Sequence, residues 1–462
     1  MKGFVPTPSH VVDLMVSKLF AERTVSADSS VLDPGCGDGE FIAGVLRYCR
    51  ESGATAPQIL GVELDPDRAA TARARFATDS NVTIDCADFL APQSRTFEYV
   101  IGNPPYVSIG RLSVSERTQY RAFFSTAKGR FDLYSLFFEQ ALRMLRSDGR
   151  LVFITPEKFT YVETARPLRN LLCHRGVAEL HYCREDIFDG YITYPLITTV
   201  SAQVEDSPAR IRHRDGRQTS ARLPQTASWM PAISGFVHAS CTRSATLSDY
   251  ALRISCGVAT GADGVFVIRR EKVTPELVEY AYPTVAGRQL HADCELRQPT
   301  SFLLAPYDTA GRLLPESRLG ALGKLLRDPS RRAVLEARTC VARKPWYAYH
   351  DSFPITDMLR PKLLAKDIGA EPVFVADRAG TIVPRHSVYY IVPRNPVDLP
   401  ILADYLESDE ARGWLRSHCQ RAANGFLRVQ SHVLKQLPIP ARVSALLSGR
   451  EDAMDLVALL PV

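Results

Sequence analysis

The sequence predicts an α/β fold over residues 1–235, a mostly parallel sheet flanked by helices, followed by an irregular α+β domain over residues 236–462. Two observations predict the first part. Short apolar runs alternate with amphipathic helical patterns, the order expected of βαβ units. A glycine-rich turn, Gly35 to Gly39, also joins the first apolar run to a helical pattern. A third observation marks where this order ends: after Asp206 the alternation gives way to prolines and short β-prone pieces.

Taken in order, Val11 to Phe20 spaces its apolar residues at i, i+3 and i+4 and predicts a helix. Ser30 to Leu32, Gln58 to Glu63, Val82 to Cys86, Tyr99 to Gly102 and Leu151 to Thr155 predict strands, with a later one over Thr198 to Val204. Phe41 to Cys49 predicts the helix after the glycines, and Leu133 to Leu145 an amphipathic helix that stops near Gly149. Asp206 to Gln225 is polar and rich in arginine, with Arg210, Arg212, Arg214, Arg217 and Arg222, and predicts a surface hairpin or linker. The domain boundary is expected near Gly235.

Composition narrows the class. A chain of 462 residues with 45% hydrophobic and 23% charged residues can bury two cores. Its ten cysteines lie outside CxxC pairs and metal-like histidine spacing, which predicts free thiols and no metal site. No apolar run approaches the roughly 20 residues of a membrane span, and Met1 to Leu14 lacks the pattern of a secretory signal, so a cytoplasmic protein without a membrane partner is expected. A net charge of +5 permits polyanion binding without establishing it.

The chemistry is concentrated at successive strand ends. Val31-Leu32-Asp33-Pro34-Gly35-Cys36-Gly37-Asp38-Gly39 ends a strand and opens a helix, the edge at which open α/β sheets bind ligands. Gly35 and Gly37 allow a ligand to lie against bare main chain. The three-glycine spacing that cradles a pyrophosphate is absent, and Asp33 would repel phosphate and favour a cationic ligand. Glu63, followed by Leu64, stands where a carboxylate accepts from ribose hydroxyls, or is a simple strand-end acid. Asp88 could accept from an adenine amine and Phe89 stack on its ring; a turn aspartate beside a core phenylalanine is the alternative.

Asn103-Pro104-Pro105-Tyr106 follows the fourth strand. Its prolines stiffen the loop and remove two donors. An NH2 group donating to the Asn103 amide oxygen and the Pro104 carbonyl would have its lone pair drawn out of conjugation and aimed at an electrophile, while Tyr106 offers a flat face to its ring. Alone, these four residues also suit a proline turn after a buried strand.

Together and in this order, the acidic glycine loop, Glu63, Asp88 and Asn103-Pro104-Pro105-Tyr106 resemble S-adenosylmethionine-dependent amino-methyltransferases. With Phe4-Val5-Pro6-Thr7-Pro8 upstream, the arrangement is similar to the gamma class of DNA adenine-N6 methyltransferases, of the TaqI type. The likeness runs on through Gly129-Arg130-Phe131-Asp132-Leu133-Tyr134, Gly149 to Pro156 and Glu185-Asp186-Ile187-Phe188. It covers residues 1 to 205 and implies a Rossmann-like class I methyltransferase domain with S-adenosyl-L-methionine as cofactor. It also implies that Thr7 contacts the cofactor and that Phe188 holds an extruded adenine opposite Tyr106. A helix N-cap and core packing are the alternative roles of these two residues.

The family couples this domain to a target-recognition domain. Gly257 to Ile268 resembles its opening segment, and Asn424 to Val429 with Leu437 to Pro440 its closing one. Between them, Arg343, Lys344, Trp346 and Tyr347 interleave cations with aromatics, and Arg360 and Lys362 add a second basic run. Such mixtures suit phosphate contacts and base-edge reading, or else a solvated basic face. Site-specific adenine-N6 methylation of flipped-out bases in double-stranded DNA is therefore expected, by a chain that can act as a monomer beside a restriction or defence-system partner. RNA adenine, protein glutamine and a recognition subunit with a non-catalytic cofactor pocket are the alternatives.

Overall fold

The structure, a computed structural model, describes residues 6–21, 23–92, 94–184, 186–188, 194–201, 207–225, 227–234, 245–291, 298–422 and 426–448. The chain forms two compact units, Met1–Val237 and His238–Val462.

The first unit is built on nine strands: β1 (Ser30–Pro34), β2 (Gln58–Glu63), β3 (Val82–Cys86), β4 (Phe97–Gly102), β5 (Leu145–Pro156), β6 (Val177–Tyr182), β7 (Pro195–Ser201), β8 (Ala209–Arg212) and β9 (Gln218–Ala221). They hydrogen-bond in the order β3-β2-β1-β4-β5-β7-β6-β8-β9. The first five are parallel to their neighbours, whereas β7 runs antiparallel to β5 and β6. The sheet is covered on both faces, which is why its central strands read as continuous apolar runs. Along β4, Tyr99 and Ile101 enter one core and Val100 the other, following the two-residue period of a strand, while Phe97, across a register irregularity, joins Val100. The first of these cores also takes Val11, Met15 and Leu19 of α1 (Ser9–Phe20), Phe41 and Val45 of α2 (Glu40–Ser52), and Ala69 and Ala72 of α3 (Pro66–Arg75). After α4 (Val114–Phe123), the second core takes Phe137 and Phe138 of α5 (Leu133–Met144) and Leu168 and Leu172 of α6 (Arg166–Arg175).

The strands expected before residue 156 are present, with β1, β4 and β5 longer than the apolar runs suggested. Helices α3, α4 and α6 and strand β6 were not expected. The arginine-rich segment is a hairpin, and it belongs to the sheet: β8 pairs in parallel with β6, Glu179 opposite Arg210 and His181 opposite Arg212. It is therefore no linker, because its backbone is committed to the ladder.

The second unit is α+β. Ala251–Cys256, Val388–Pro393, Lys362–Lys366 and Phe374–Asp377 form an antiparallel sheet, and Val267–Arg269, Ser301–Leu304, Ala281–Val285 and Val383–Pro384 form a mixed one, its last pair parallel. Phe266, Leu303, Tyr349, Leu364 and Tyr390 are in its core. Gly257 in the opening segment must be glycine, since a Cβ there would lie 2.4 Å from the Pro384 carbonyl oxygen. Of the closing segment, Asn424 and Gly425 lie outside the described residues.

Candidate active site

In strand order the chain leaves β1 toward β2 on one side and later places β4 on the other, so the sheet's switch point lies between β1 and β4. The glycine loop follows β1 and Asn103 follows β4, so the two most distinctive sequence motifs flank this point. A cleft of about 310 Å³ opens there, lined by Thr7, Gly35, Glu63, Leu64, Asp88, Phe89, Asn103 and Pro105 among the expected residues.

Backbone amides build its floor. Gly35 and Cys36 donate to the Val62 carbonyl at 2.7 and 3.0 Å, which pins the loop across the end of β2. Glu63, buried, accepts from the Gly37 amide at 2.9 Å and the Asp65 amide at 2.8 Å, so its carboxylate is held rigidly. Asp88 is exposed and accepts from the Leu90 amide at 2.9 Å. Leu64, 60% exposed, presents an apolar face to the same space. Phe89 is buried and packs on Phe137, ring centroids 5.1 Å apart, so it backs the cleft.

The Asn103 amide nitrogen donates to the Thr7 hydroxyl at 3.1 Å, which turns its carbonyl oxygen to the other side of the amide. Thr7 is not the cap of α1: Pro8 holds that position and makes no side-chain cap. The Tyr106 ring is half-exposed while its hydroxyl, donating to the Ile154 carbonyl at 3.3 Å, is held inside. Burial raises that phenol well above its ordinary value, so Tyr106 offers a ring and not a proton acceptor.

Several expectations are corrected. Asp33 is 1% exposed, lies beneath the loop and does not border the cleft; a Cβ on Gly102 would sit 3.1 Å from its Oδ1. Neither of its carboxylate oxygens has a hydrogen-bond partner among the described residues. Burial and then the Glu63 carboxylate raise its pKa well above the ordinary carboxylate range. Gly37 likewise does not line the cleft and acts through its amide on Glu63. Pro104 stiffens the loop from a buried position. Phe188 is 2% exposed and sits in the core with Val11, Val12 and Met15, the packing role that was its alternative, and does not line the cleft.

Sequence reasoning missed Asp38, Phe41, Tyr120 and Phe137, all of which line the cleft. Tyr120 lies on α4, whose N-terminus carries a reciprocal Ser113–Glu116 capping box, a signal present in the sequence. Its phenol is pushed up to about 12 by burial and by Asp88.

In the second unit, Arg343 and Arg360 are exposed as a phosphate contact requires. The others are engaged. Lys344 donates to the Tyr349 and His350 carbonyls at 3.3 and 2.7 Å. Trp346 donates to Glu316 at 3.3 Å with Arg332 over its ring. Tyr347 is buried and donates to the Leu314 carbonyl at 2.9 Å. Lys362, 0% exposed, is closed in an ion pair with Asp377 at 2.5 Å, so it cannot reach a phosphate. Burial explains the correction: Lys362 opens a strand that is buried from Lys362 through Ala365, where only a paired charge is tolerated.

The acids, bare backbone and apolar faces of the cleft suit a cationic nucleoside. Glu63 sets a buried carboxylate in the cleft wall, and Asp38 and Asp88 add two more acids. S-adenosylmethionine, a sulfonium attached to an adenosine, has this chemistry.

Comparison with known proteins agrees. Residues 58–188 match the model of a family described as Eco57I restriction-modification methylase. The chain is similar to Type II methyltransferase M.PaeR7I of Pseudomonas aeruginosa, 26% identical over 95% of this chain and 86% of that protein. It is also similar to Type II methyltransferase M.XhoI of Xanthomonas vasicola, 25% identical over 95% of this chain and 91% of that protein. The solved structure of the Type IIL restriction-modification enzyme MmeI in complex with DNA shares its fold, with a TM-score of 0.65 at 15% identity, over 96% of this chain and 66% of that one. Among the described residues, no helix is long and apolar enough to cross a membrane.

Proposed function

We propose that this chain, which resembles the Eco57I restriction-modification methylases over residues 58–188 and has the class I S-adenosylmethionine-dependent methyltransferase fold, is a site-specific DNA adenine-N6 methyltransferase of the gamma class. One observation carries this reading: Asn103 stands at the end of β4, its amide set by Thr7, beside a cleft walled by Glu63, Asp88 and the glycine loop.

Glu63 and Asp88 would hold the ribose and adenine of S-adenosylmethionine, and Gly35 would let its chain approach the loop. When bound, that cofactor supplies a methyl group on a positively charged sulfur. The protein's own work is on the acceptor. The Asn103 oxygen and the Pro104 carbonyl accept the two N–H bonds of the target amine, which points its lone pair along the transfer axis. The half-exposed Tyr106 ring supports the base, which must leave the duplex to reach this loop. The methylated amine then sheds a proton to solvent, so no general base is needed. Double-stranded DNA is the substrate, and the second unit, with Arg343 and Arg360 at its surface, reads the target.

The test is to incubate the protein with methyl-labelled S-adenosylmethionine and, separately, duplex DNA, RNA and protein. Label in DNA is the expected result. Label confined to RNA or protein would overturn it.

A further inference from the structure

The arginine-rich hairpin carries one residue that does not behave as surface. Arg210 and Arg212 alternate along β8 and share a face of the sheet, whereas Arg214 lies in the turn that follows. The first two remain open to solvent over Glu179, with side chains 63% and 41% exposed. Arg214 instead turns inward. Its Nη2 reaches Oε2 of the buried Glu157 at 2.5 Å, and its Nε donates to the Cys183 carbonyl at 3.1 Å. Its guanidinium carbon lies 5.5 Å from the Tyr182 ring centre and 5.3 Å from that of Tyr194.

These partners end three different strands. Glu157 follows β5, Tyr182 and Cys183 end β6, and Tyr194 precedes β7. The same ends are cross-linked by backbone bonds, Glu157 N to Tyr194 O at 2.9 Å and Cys183 N to Pro195 O at 3.0 Å. Near the end of β5, the Ile154 carbonyl receives the Tyr106 hydroxyl. A planar, forked cation with donors on two edges and π faces on both sides is suited to fix such a junction; an ammonium group is not.

We infer that Arg214 is a positioning residue for the methyl acceptor, holding the ends of β5, β6 and β7 so that Tyr106, anchored on the Ile154 carbonyl, frames the target base. This rests on the acceptor reading above. It assigns to the sheet's outer hairpin a part in catalysis that its exposed arginines do not suggest.

The test compares wild type with Arg214→Ala, Arg214→Lys and Glu157→Gln on duplex DNA carrying the site found by sequencing methylated bases. Turnover, S-adenosylmethionine affinity and fluorescence of 2-aminopurine at the target position are read for each. Arg214→Ala is expected to lower kcat by about a hundredfold, as a displaced acceptor would. The 2-aminopurine signal should fall with it, while cofactor affinity stays within about twofold. Arg214→Lys and Glu157→Gln should fall between, and either serves if Arg214→Ala does not fold. Folded variants with unchanged kcat and fluorescence would overturn the inference. So would variants that lose cofactor binding and stability in step with turnover, the mark of a purely structural role. If wild type leaves DNA unlabelled, the functional reading fails first, and the inference with it.

Discussion

The amide nitrogen of Asn103 is 3.1 Å from the hydroxyl oxygen of Thr7, joining two residues 96 positions apart. This bond decides which way the amide faces, and so which atom meets the acceptor. Thr7→Val keeps the shape and removes the partner. It is expected to lower single-turnover methyl transfer about fivefold, from a net hydrogen bond of roughly 1 kcal/mol. Thr7→Ser should retain most of the rate; equal losses in both variants would show that the hydroxyl is not what matters.

Asp33 gives the apo protein a pH dependence. Because burial and Glu63 raise its folded value above the ordinary 3.8, the fold favours the protonated acid. That contribution is complete below 3.8 and is lost as the pH rises through the folded value. Asp33→Asn should therefore raise the apo melting temperature at pH 8 by about 2–4 °C, a gap that closes as the pH falls toward 4. A cationic cofactor favours the carboxylate, so its binding should release a proton from wild type and not from Asp33→Asn. Calorimetry in buffers of different ionisation heat reads this directly.

Glu63 has a structural duty as well as a ligand-binding one. Its two oxygens satisfy the Gly37 and Asp65 amides, and Glu63→Ala leaves both without that partner. A loss of about 2 kcal/mol in urea unfolding is expected, together with loss of cofactor binding. Glu63→Gln should recover much of the stability and little of the affinity.

Lys362 and Arg343 should separate cleanly. Lys362→Met leaves Asp377 a buried carboxylate without its counter-charge, held only by the Gly380, Thr381 and Ile382 amides, and should destabilise the protein by about 3 kcal/mol. The salt dependence of its DNA binding should not change. Arg343→Ala should leave stability alone and reduce the slope of log K against log salt by about one. The reverse pattern would restore Lys362 to the DNA contacts.

Much of the site was legible because its residues end strands, and a buried parallel strand announces itself by a continuous apolar run. Glu63, Asp88 and Asn103 could be placed on one edge without coordinates. The sequence position of Asp33 said nothing of which side of the loop its carboxylate would take, and it lies beneath. Strand β6 escaped because Glu179 and His181 interrupt it; the charge of Glu179 is matched by Lys18, Arg210 and Arg212, all distant in sequence. Helix α4 buries no residue, so it has no apolar stripe to detect. Helix α6 hides an arginine in its packed face, Arg169, whose donors reach the carbonyls of Phe159, Val162 and Ala227. In the second unit, strands of two to six residues in small sheets are too short to show a period.

The central claim is that Asn103 directs a DNA adenine amine to a methyl donor. It is tested most directly by nucleoside mass spectrometry of duplex DNA incubated with S-adenosylmethionine and either wild type or Asn103→Ala. Wild type should produce N6-methyladenine, and Asn103→Ala should produce none while still binding the cofactor. N6-methyladenine formed at the wild-type rate by Asn103→Ala, or a wild-type product that is methylcytosine alone, would contradict it.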